Sequence, residues 1–240
     1  MTTHELKLRQ RDDVAEGTMA FHFDKPPGFA FKPGQAIDLV LPGDPAGDAQ
    51  AVRHTFSLVS APFQDELTVA TRMRDSTYKR ALKSLALGAS VQIEGPFGSL
   101  TLHKDRARAA VFIAGGIGIT PFMSILRQAA KDQLPQHLSL LYSNRRPEDS
   151  AFLAELDQLQ GLNSRFRLVA TMTEMAKSGR PWQGETRLID ADLVKSVGAR
   201  LPAPIYYLAG PPAMVDAIRK TLDSAGIDDD DVRSEEFYGY

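Results

Sequence analysis

Two short apolar runs, each breaking into glycine, constrain the second half of this chain most strongly. Val111–Ala114 runs into Gly115-Gly116-Ile117-Gly118-Ile119-Thr120-Pro121, and Ile205–Ala209 runs into Gly210-Pro211-Pro212-Ala213-Met214. Neither run alternates with polar residues, the pattern of a strand buried on both faces of a parallel sheet. The glycines admit backbone conformations that a tight strand-to-helix turn requires, and they let a ligand approach the main chain closely. Thr120 suits a helix cap and Pro121 a first helical turn, where a missing N–H costs nothing. Further apolar runs at 138–142 and 166–170 alternate with amphipathic stretches at 121–130, 149–159, 190–197 and 212–225, and Val232–Phe237 reads as a last strand. Alternating strand and helix predicts right-handed crossovers and a parallel sheet. The acidic run Asp228–Asp231 reads as a solvated turn.

The first half has a different period. Glu5–Arg11 and Thr18–Asp24 alternate, and Ala36–Leu41, Phe56–Ser60 and Leu67–Met73 are compact apolar stretches separated by Pro, Gly and Asp. Only Ser76–Leu87 carries helical spacing, through Tyr78, Ala81, Leu82, Leu85 and Ala86. Gly95-Pro96-Phe97-Gly98 reads as a turn. Short strands with one inserted helix predict a small antiparallel barrel. The expected fold is therefore two-domain: an N-terminal antiparallel β-barrel over 1–105, then an α/β parallel-sheet domain over 106–240.

Charge and cysteine content narrow the function. The 240 residues carry a net charge of −2, +1 over residues 1–108 and −3 beyond. Neither half has the basic excess expected of a nucleic-acid or membrane-surface partner. Cysteine is absent, which excludes disulfides, thiolate zinc sites and cysteine-ligated iron–sulfur clusters in this sequence. The first residues alternate without a signal-peptide core, and no apolar run approaches the roughly 20 residues of a membrane span. The expected location is cytoplasmic, with no membrane and no nucleic-acid partner.

Within the all-β first half lies Arg53-His54-Thr55-Phe56-Ser57-Leu58-Val59-Ser60. This strand, followed by the two glycine turns in this order, resembles the ferredoxin–NADP reductase family of flavoenzymes. The resemblance runs from Pro33-Gly34-Gln35 to Glu235-Glu236-Phe237. It implies that 1–105 binds FAD and that 106–240 binds NADPH or NADH. In the family an Arg-x-Tyr-Ser segment holds the flavin. Here the flavin strand would be Arg53, His54, Thr55, Phe56 and Ser57, with His54 at the arginine position, Phe56 at the tyrosine and Ser57 near flavin N5. Ser76 and Thr77 match the helix N-terminus that meets the flavin diphosphate.

On the nucleotide side, Gly115, Gly116, Gly118, Thr120 and Pro121 match the turn that supports the cofactor pyrophosphate. Gly210, Pro211, Pro212 and Met214 match the turn beside the nicotinamide, where many relatives carry a cysteine and this chain has Ala209. In this architecture donor specificity is read after the second parallel strand, at Ser143, Asn144, Arg145 and Arg146. The arginines favour the 2′-phosphate of NADPH, and the nearby Glu148 and Asp149 leave NADH open. Glu235 or Glu236 is a candidate for proton or orientation work, and Phe237 or Tyr240 for the C-terminal aromatic that shields the flavin.

The implied activity is hydride transfer from NAD(P)H to FAD, with catalytic roles at Ser57, Glu235 and Phe237 and electrons passed to a separate acceptor. That acceptor is a ferredoxin, flavodoxin, free flavin, ferric iron or quinone. The alternative is a nucleotide-binding redox sensor or electron-transfer subunit with little turnover of its own. The basic cluster Arg72, Arg74, Lys79, Arg80 and Lys83 is either an acceptor-docking patch or a solvated barrel face.

Overall fold

The structure is a computed structural model that describes residues 2–42 and 53–238. The chain falls into two compact units: Met1–Thr101 with Thr120–Gln128, and Leu102–Ile119 with Ala129–Tyr240.

The first unit is a six-stranded antiparallel sheet built from β1 (Thr2–Ala15), β2 (Thr18–Asp24), β3 (Ala36–Val40), β4 (Arg53–Ser57), β5 (Glu66–Arg72) and β6 (Ser90–Phe97), in the order β4-β3-β6-β1-β2-β5. β1 is long because it serves two neighbours. Thr2–Lys7 pairs with β6, and from Leu8 onward it pairs with β2, with bulges at Leu8/Gln10 and Asp13/Ala15. Bulges bend and twist a strand, and here they carry β1 around the curl of the sheet. Beyond the end of β4, the Val59 N–H donates to the Thr68 carbonyl of β5 at 2.8 Å. The two edge strands thus meet, as barrel closure requires. Leu6, Leu8, Phe21, Phe23, Ile37, Leu39, Val69 and Ile93 fill the interior. Helix α1 (Thr77–Ser84) is capped by Ser76, whose side chain accepts from the Lys79 N–H. It buries Tyr78 and Leu82 in the same core.

Three boundaries differ from those read in the sequence. β1 extends past Glu5–Arg11 at both ends, because its two partners continue the ladder. β4 starts earlier and stops at Ser57, where Leu58 N–H turns to the Gln35 carbonyl. Gly95-Pro96-Phe97 is not a turn: it stays in β6, with Gly95 opposite Thr2 and Phe97 opposite Ala36.

The second unit holds β7 (Ala110–Gly115), β8 (Leu138–Asn144), β9 (Phe166–Met172), β10 (Ile205–Gly210) and β11 (Val232–Glu236), all parallel, in the order β11-β10-β7-β8-β9. Helices α2 (Thr120–Lys131), α3 (Leu153–Leu162), α4 (Ala191–Gly198) and α5 (Pro212–Ser224) lie between successive strands in the chain. The expected helix over 149–159 begins later. Pro147–Asp149 forms a 3₁₀ turn, and Phe152, with φ +61°, stops any helix from starting before Leu153. The acidic run Asp228–Asp231 is a 3₁₀ turn tied down by Arg219–Asp229 and Arg108–Asp231 ion pairs, both 2.7 Å. At the open edge, the loop after β9 folds back: the Met172 N–H donates to the Glu185 carbonyl at 2.9 Å, and Thr171 Oγ1 donates to the Arg187 carbonyl.

Inside this unit His103, Tyr207 and Arg233 form a buried polar hub. The Tyr207 oxygen accepts from the His103 backbone N–H (2.9 Å) and from Arg233 Nη1 (3.2 Å), and His103 Nδ1 lies 2.8 Å away. His103 Nε2 faces the Arg108 carbonyl at 3.1 Å. With its proton on Nε2, a neutral imidazole donates to the Arg108 carbonyl and accepts the tyrosine O–H at Nδ1. Burial and the neighbouring arginines hold the imidazole below its ordinary pKa, in agreement. Tyr207→Phe should therefore destabilise the chain by about 1–3 kcal/mol, the cost of leaving buried partners unsatisfied. Urea unfolding of the two proteins measures it, and an unchanged midpoint would mean that the hub contributes nothing.

Candidate functional site

The strand order places the site. β7, β8 and β9 proceed one way across the sheet, after which the chain crosses back and adds β10 and β11 on the other side of β7. The order therefore reverses between β7 and β10. In open α/β sheets, ligands bind at such a switch point, outside the carboxyl ends of the strands. Both glycine turns leave from those two ends.

There the backbone is packed without room for side chains. A Cβ on Gly118 would lie 2.1 Å from the Ala209 carbonyl oxygen and 2.7 Å from the Gly210 nitrogen. The turn after β7 thus rests directly on the last peptides of β10. A Cβ on Gly115 would lie 2.0 Å from the Met214 sulfur, so Met214 of α5 packs on the same bare stretch. Gly116 is different: its φ is +53° and nothing lies within 4 Å of a would-be Cβ, so its face is open. Residues 116–119 form a 3₁₀ turn, and Thr120 is the first residue of α2 rather than a cap outside it, with Pro121 second. Pro211 precedes α5 and Pro212 opens it, as the sequence indicated.

Next to this switch point the register aligns Gly115 with Ser143 of β8, Ala209 with Glu235 of β11, and Gly210 with Glu236. The Phe237 N–H donates to the Gly210 carbonyl at 2.9 Å, which ties the C-terminal aromatic to the second glycine turn. Burial pushes the Glu235 carboxyl above its ordinary pKa. Tyr240 lies outside the described residues.

Asn144 ends β8 with only 6 % exposure, and neither its amide nitrogen nor its oxygen makes a hydrogen bond of normal geometry. Buried amides ordinarily find partners, and the side chain that interacts with this one is Tyr142. The two arginines that follow are engaged differently. Arg146 makes a bidentate pair with Asp149, both bonds 2.9 Å, with its donor groups committed to that buried carboxylate. Arg145 is mostly exposed and reaches Glu174 at 3.6 Å. Glu148 accepts from Ser178 Oγ and from the Gly179 N–H at 2.8 Å, so it clamps the next loop. A hydrogen bond from its own backbone N–H, reinforced by those from Ser178 and Gly179, holds its carboxyl below the ordinary range.

In the first unit the residues of β4 divide by strand alternation. Arg53 and Thr55 share the outer face, where Arg53 Nε pairs with Asp38 at 3.0 Å and its guanidinium also meets Glu94, while Thr55 Oγ1 donates to Asp38. His54 and Phe56 share the other face with Tyr78, whose ring lies 4.5 Å from His54 and 6.0 Å from Phe56. Phe56 is 3 % exposed and is a core residue; Ser57 is buried beside it in sequence. Burial and the Lys79 charge hold His54 below its ordinary pKa, so it is a neutral donor rather than a cation. Lys79 itself is buried, donates to the Arg72 carbonyl at 2.8 Å, and is pushed down to about 8, mainly by burial. Of the basic cluster read in the sequence, Lys79 is therefore not a solvated surface charge, and Arg80 pairs with Asp75. A charged residue three places after a helix cap gave no sequence signal that it would be buried.

The packing at the first turn makes a direct prediction. Gly118→Ala should destabilise by about 1–3 kcal/mol or more, the range for overpacking against a fixed neighbour. Gly116→Ala has open space and should cost only the roughly 1–2 kcal/mol of a left-handed residue. Thermal unfolding of both variants tests the order; equal losses would show that the turn can move away from β10.

Comparison with known proteins agrees with this geometry. The family model for an oxidoreductase NAD-binding domain matches residues 112–220. Over 220 residues, 89 % of the chain, it is 29 % identical to the reductase component of propane 2-monooxygenase from Rhodococcus jostii, of which the match covers 57 %. The chain spans about three fifths of the length of such oxygenase reductase components. It is 30 % identical over 200 residues to ferredoxin–NADP reductase B of Sorangium cellulosum, covering 80 % of this chain and 79 % of that one. A crystal structure of a ferredoxin NADP⁺ reductase from Neisseria gonorrhoeae with bound FAD and NADP has the same fold, with a TM-score of 0.80, 98 % of each chain covered and 22 % identity. This chain belongs to the ferredoxin–NADP reductase family.

Proposed function

We propose that the protein is an FAD-dependent NAD(P)H reductase whose first unit binds FAD and whose second binds NAD(P)H. The observation that carries this reading is the bare-backbone turn at the switch point: Gly118 against Ala209, with Gly116 open beside it. A dinucleotide pyrophosphate needs such close approach to backbone N–H groups. The donor set fits the rest of the nucleotide. Arg145 offers an exposed guanidinium at the end of β8.

The first unit fits the second cofactor through α1. Ser76 caps that helix, and the first backbone N–H groups of a helix have no intrahelical acceptor and favour an anion. His54 would donate one N–H to a diphosphate, while the positive charge on this face is carried by Lys79. Ser57, the last residue of β4, would offer its hydroxyl near the flavin ring. FAD, when held there, would supply the hydride-accepting and electron-transfer chemistry. Phe237 would shield the cofactor-binding face and exclude water, held by its bond to Gly210. Glu235, with its raised pKa, holds a proton more readily than a surface glutamate and would serve as the local proton store. The relative named as a reductase component of a monooxygenase supports a separate oxygenase component as electron acceptor.

The test is the visible spectrum of the FAD-loaded protein under anaerobic NADPH and, separately, NADH. Flavin absorbance at about 450 nm should bleach with at least one donor; bound flavin that neither donor reduces would refute the assignment. Ser57→Ala should slow that bleaching while leaving FAD bound, and an unchanged rate would remove Ser57 from the mechanism. Arg145→Ala should raise the KM for NADPH by about tenfold, one charge-assisted contact to the 2′-phosphate, and leave the KM for NADH unchanged. Equal effects on both donors would place the 2′-phosphate elsewhere.

A further inference from the structure

A cavity of about 390 Å³ lies at the N-terminal ends of β8 and β9, the ends opposite Asn144. Its origin is a change in the row of side chains that faces α4. Leu141 of β8 stands opposite Val169 of β9, and both pack with Leu193 of α4. Two residues back along the strands, on the same face, the pair is Ser139 opposite Arg167. A serine and an outward-reaching arginine leave the space that larger apolar side chains would close. Val169, Leu193, Val197 and Leu201 form the apolar wall of the opening that results.

The mouth is strongly basic. Arg165, Arg167, Arg187 and Arg200 line it, against one carboxylate, Glu185. Two of these arginines are engaged: Arg187 with Glu185 at 3.2 Å and Asp190 at 3.5 Å, and Arg165 with His137 Nε2 at 2.6 Å. Arg167 and Arg200 have no ion pair or hydrogen-bonding side-chain partner among the described residues. Two uncommitted guanidiniums at the mouth of an apolar-walled cavity define a ligand with two ends. Guanidinium presents a planar fork of N–H donors that matches a carboxylate. The wall takes a hydrocarbon body, and the volume falls within the roughly 300–1,000 Å³ of small-molecule sites.

We propose that this cavity binds a small amphipathic carboxylate, an aryl or short-chain alkyl acid, with the carboxylate on Arg167 and Arg200 and the body against Val169, Val197 and Leu201. The site is distinct from the switch point and does not rest on the proposed reductase activity.

Isothermal titration of the full chain with 3-phenylpropionate and octanoate tests it, with 3-phenylpropanol and inorganic sulfate as probes lacking one end of the ligand. Both acids should bind saturably. Removing the charge, as 3-phenylpropanol, or the apolar body, as sulfate, should each weaken binding by about tenfold or more. The exposed pair Arg167→Gln/Arg200→Gln should lose a similar factor with its melting temperature unchanged. Val197→Trp, which fills the cavity, should abolish binding of the acids. The proposal is overturned if neither acid binds, if sulfate binds as tightly as the acids, or if the double variant binds them as well as the wild type. Amide shift changes mapping away from α4 and the first residues of β8 and β9 would overturn it equally.

Discussion

The contact between Gly118 and the Ala209 carbonyl is the constraint around which the second unit is arranged. Two strands that are not neighbours in the chain, β7 and β10, lie side by side in the sheet, and the turn leaving one rests on the final peptide of the other. A side chain at Gly118 would separate them. With none, the reversal of strand order closes tightly while Gly116 keeps an open face. Packing and ligand access are therefore met by different glycines three residues or fewer apart. The same compression brings Met214 onto Gly115, so the start of α5 is fixed by the first turn as well as by its own prolines.

Charge in this protein is mostly committed locally. Arg146 serves Asp149, Arg53 serves Asp38 and Glu94, and Arg108 serves Asp231. The Arg53 pairs join strand to strand, and the other two join loop to loop. The exceptions carry more information than the pairs do. Lys79 is a cation kept in a place that penalises it, since taking an ammonium out of water is costly. Arg145 is exposed and only loosely held by Glu174. A count of basic residues treats all of these as equal; burial and partners separate them.

Much of the architecture was legible because hydrophobic period reports directly on strand and helix. Runs such as Val111–Ala114 and Ile205–Ala209 have no polar face, and they became the two central parallel strands. The glycine turns were legible for a related reason, since few roles require three glycines in four residues after a buried strand. The misread pieces depended on partners distant in sequence. Gly95–Phe97 has the composition of a turn, yet β1 and β3 extend far enough to keep it in a ladder. Phe152 in a left-handed conformation, which delays α3, carries no local signal because phenylalanine rarely adopts it. At the candidate site, the sequence pointed to Arg145 and Arg146 as a pair; only coordinates show that one is clamped and the other is not. The hub of His103 and Tyr207 joins residues 104 positions apart and was invisible to any reading of local pattern.

The two borders of the parallel sheet are protected by unlike means. β11 carries Arg233, Glu235 and Glu236 in a five-residue strand, and charge on a short border strand discourages pairing with another molecule. β9 lacks that defence: after Arg167 it continues Leu168-Val169-Ala170-Thr171-Met172. Its shield is the returning loop, which takes the Met172 N–H through the Glu185 carbonyl and the Thr171 hydroxyl through the Arg187 carbonyl. Resistance to self-association on that side is therefore a property of a surface loop, and a protease nick there would expose a template for sheet growth without touching the core.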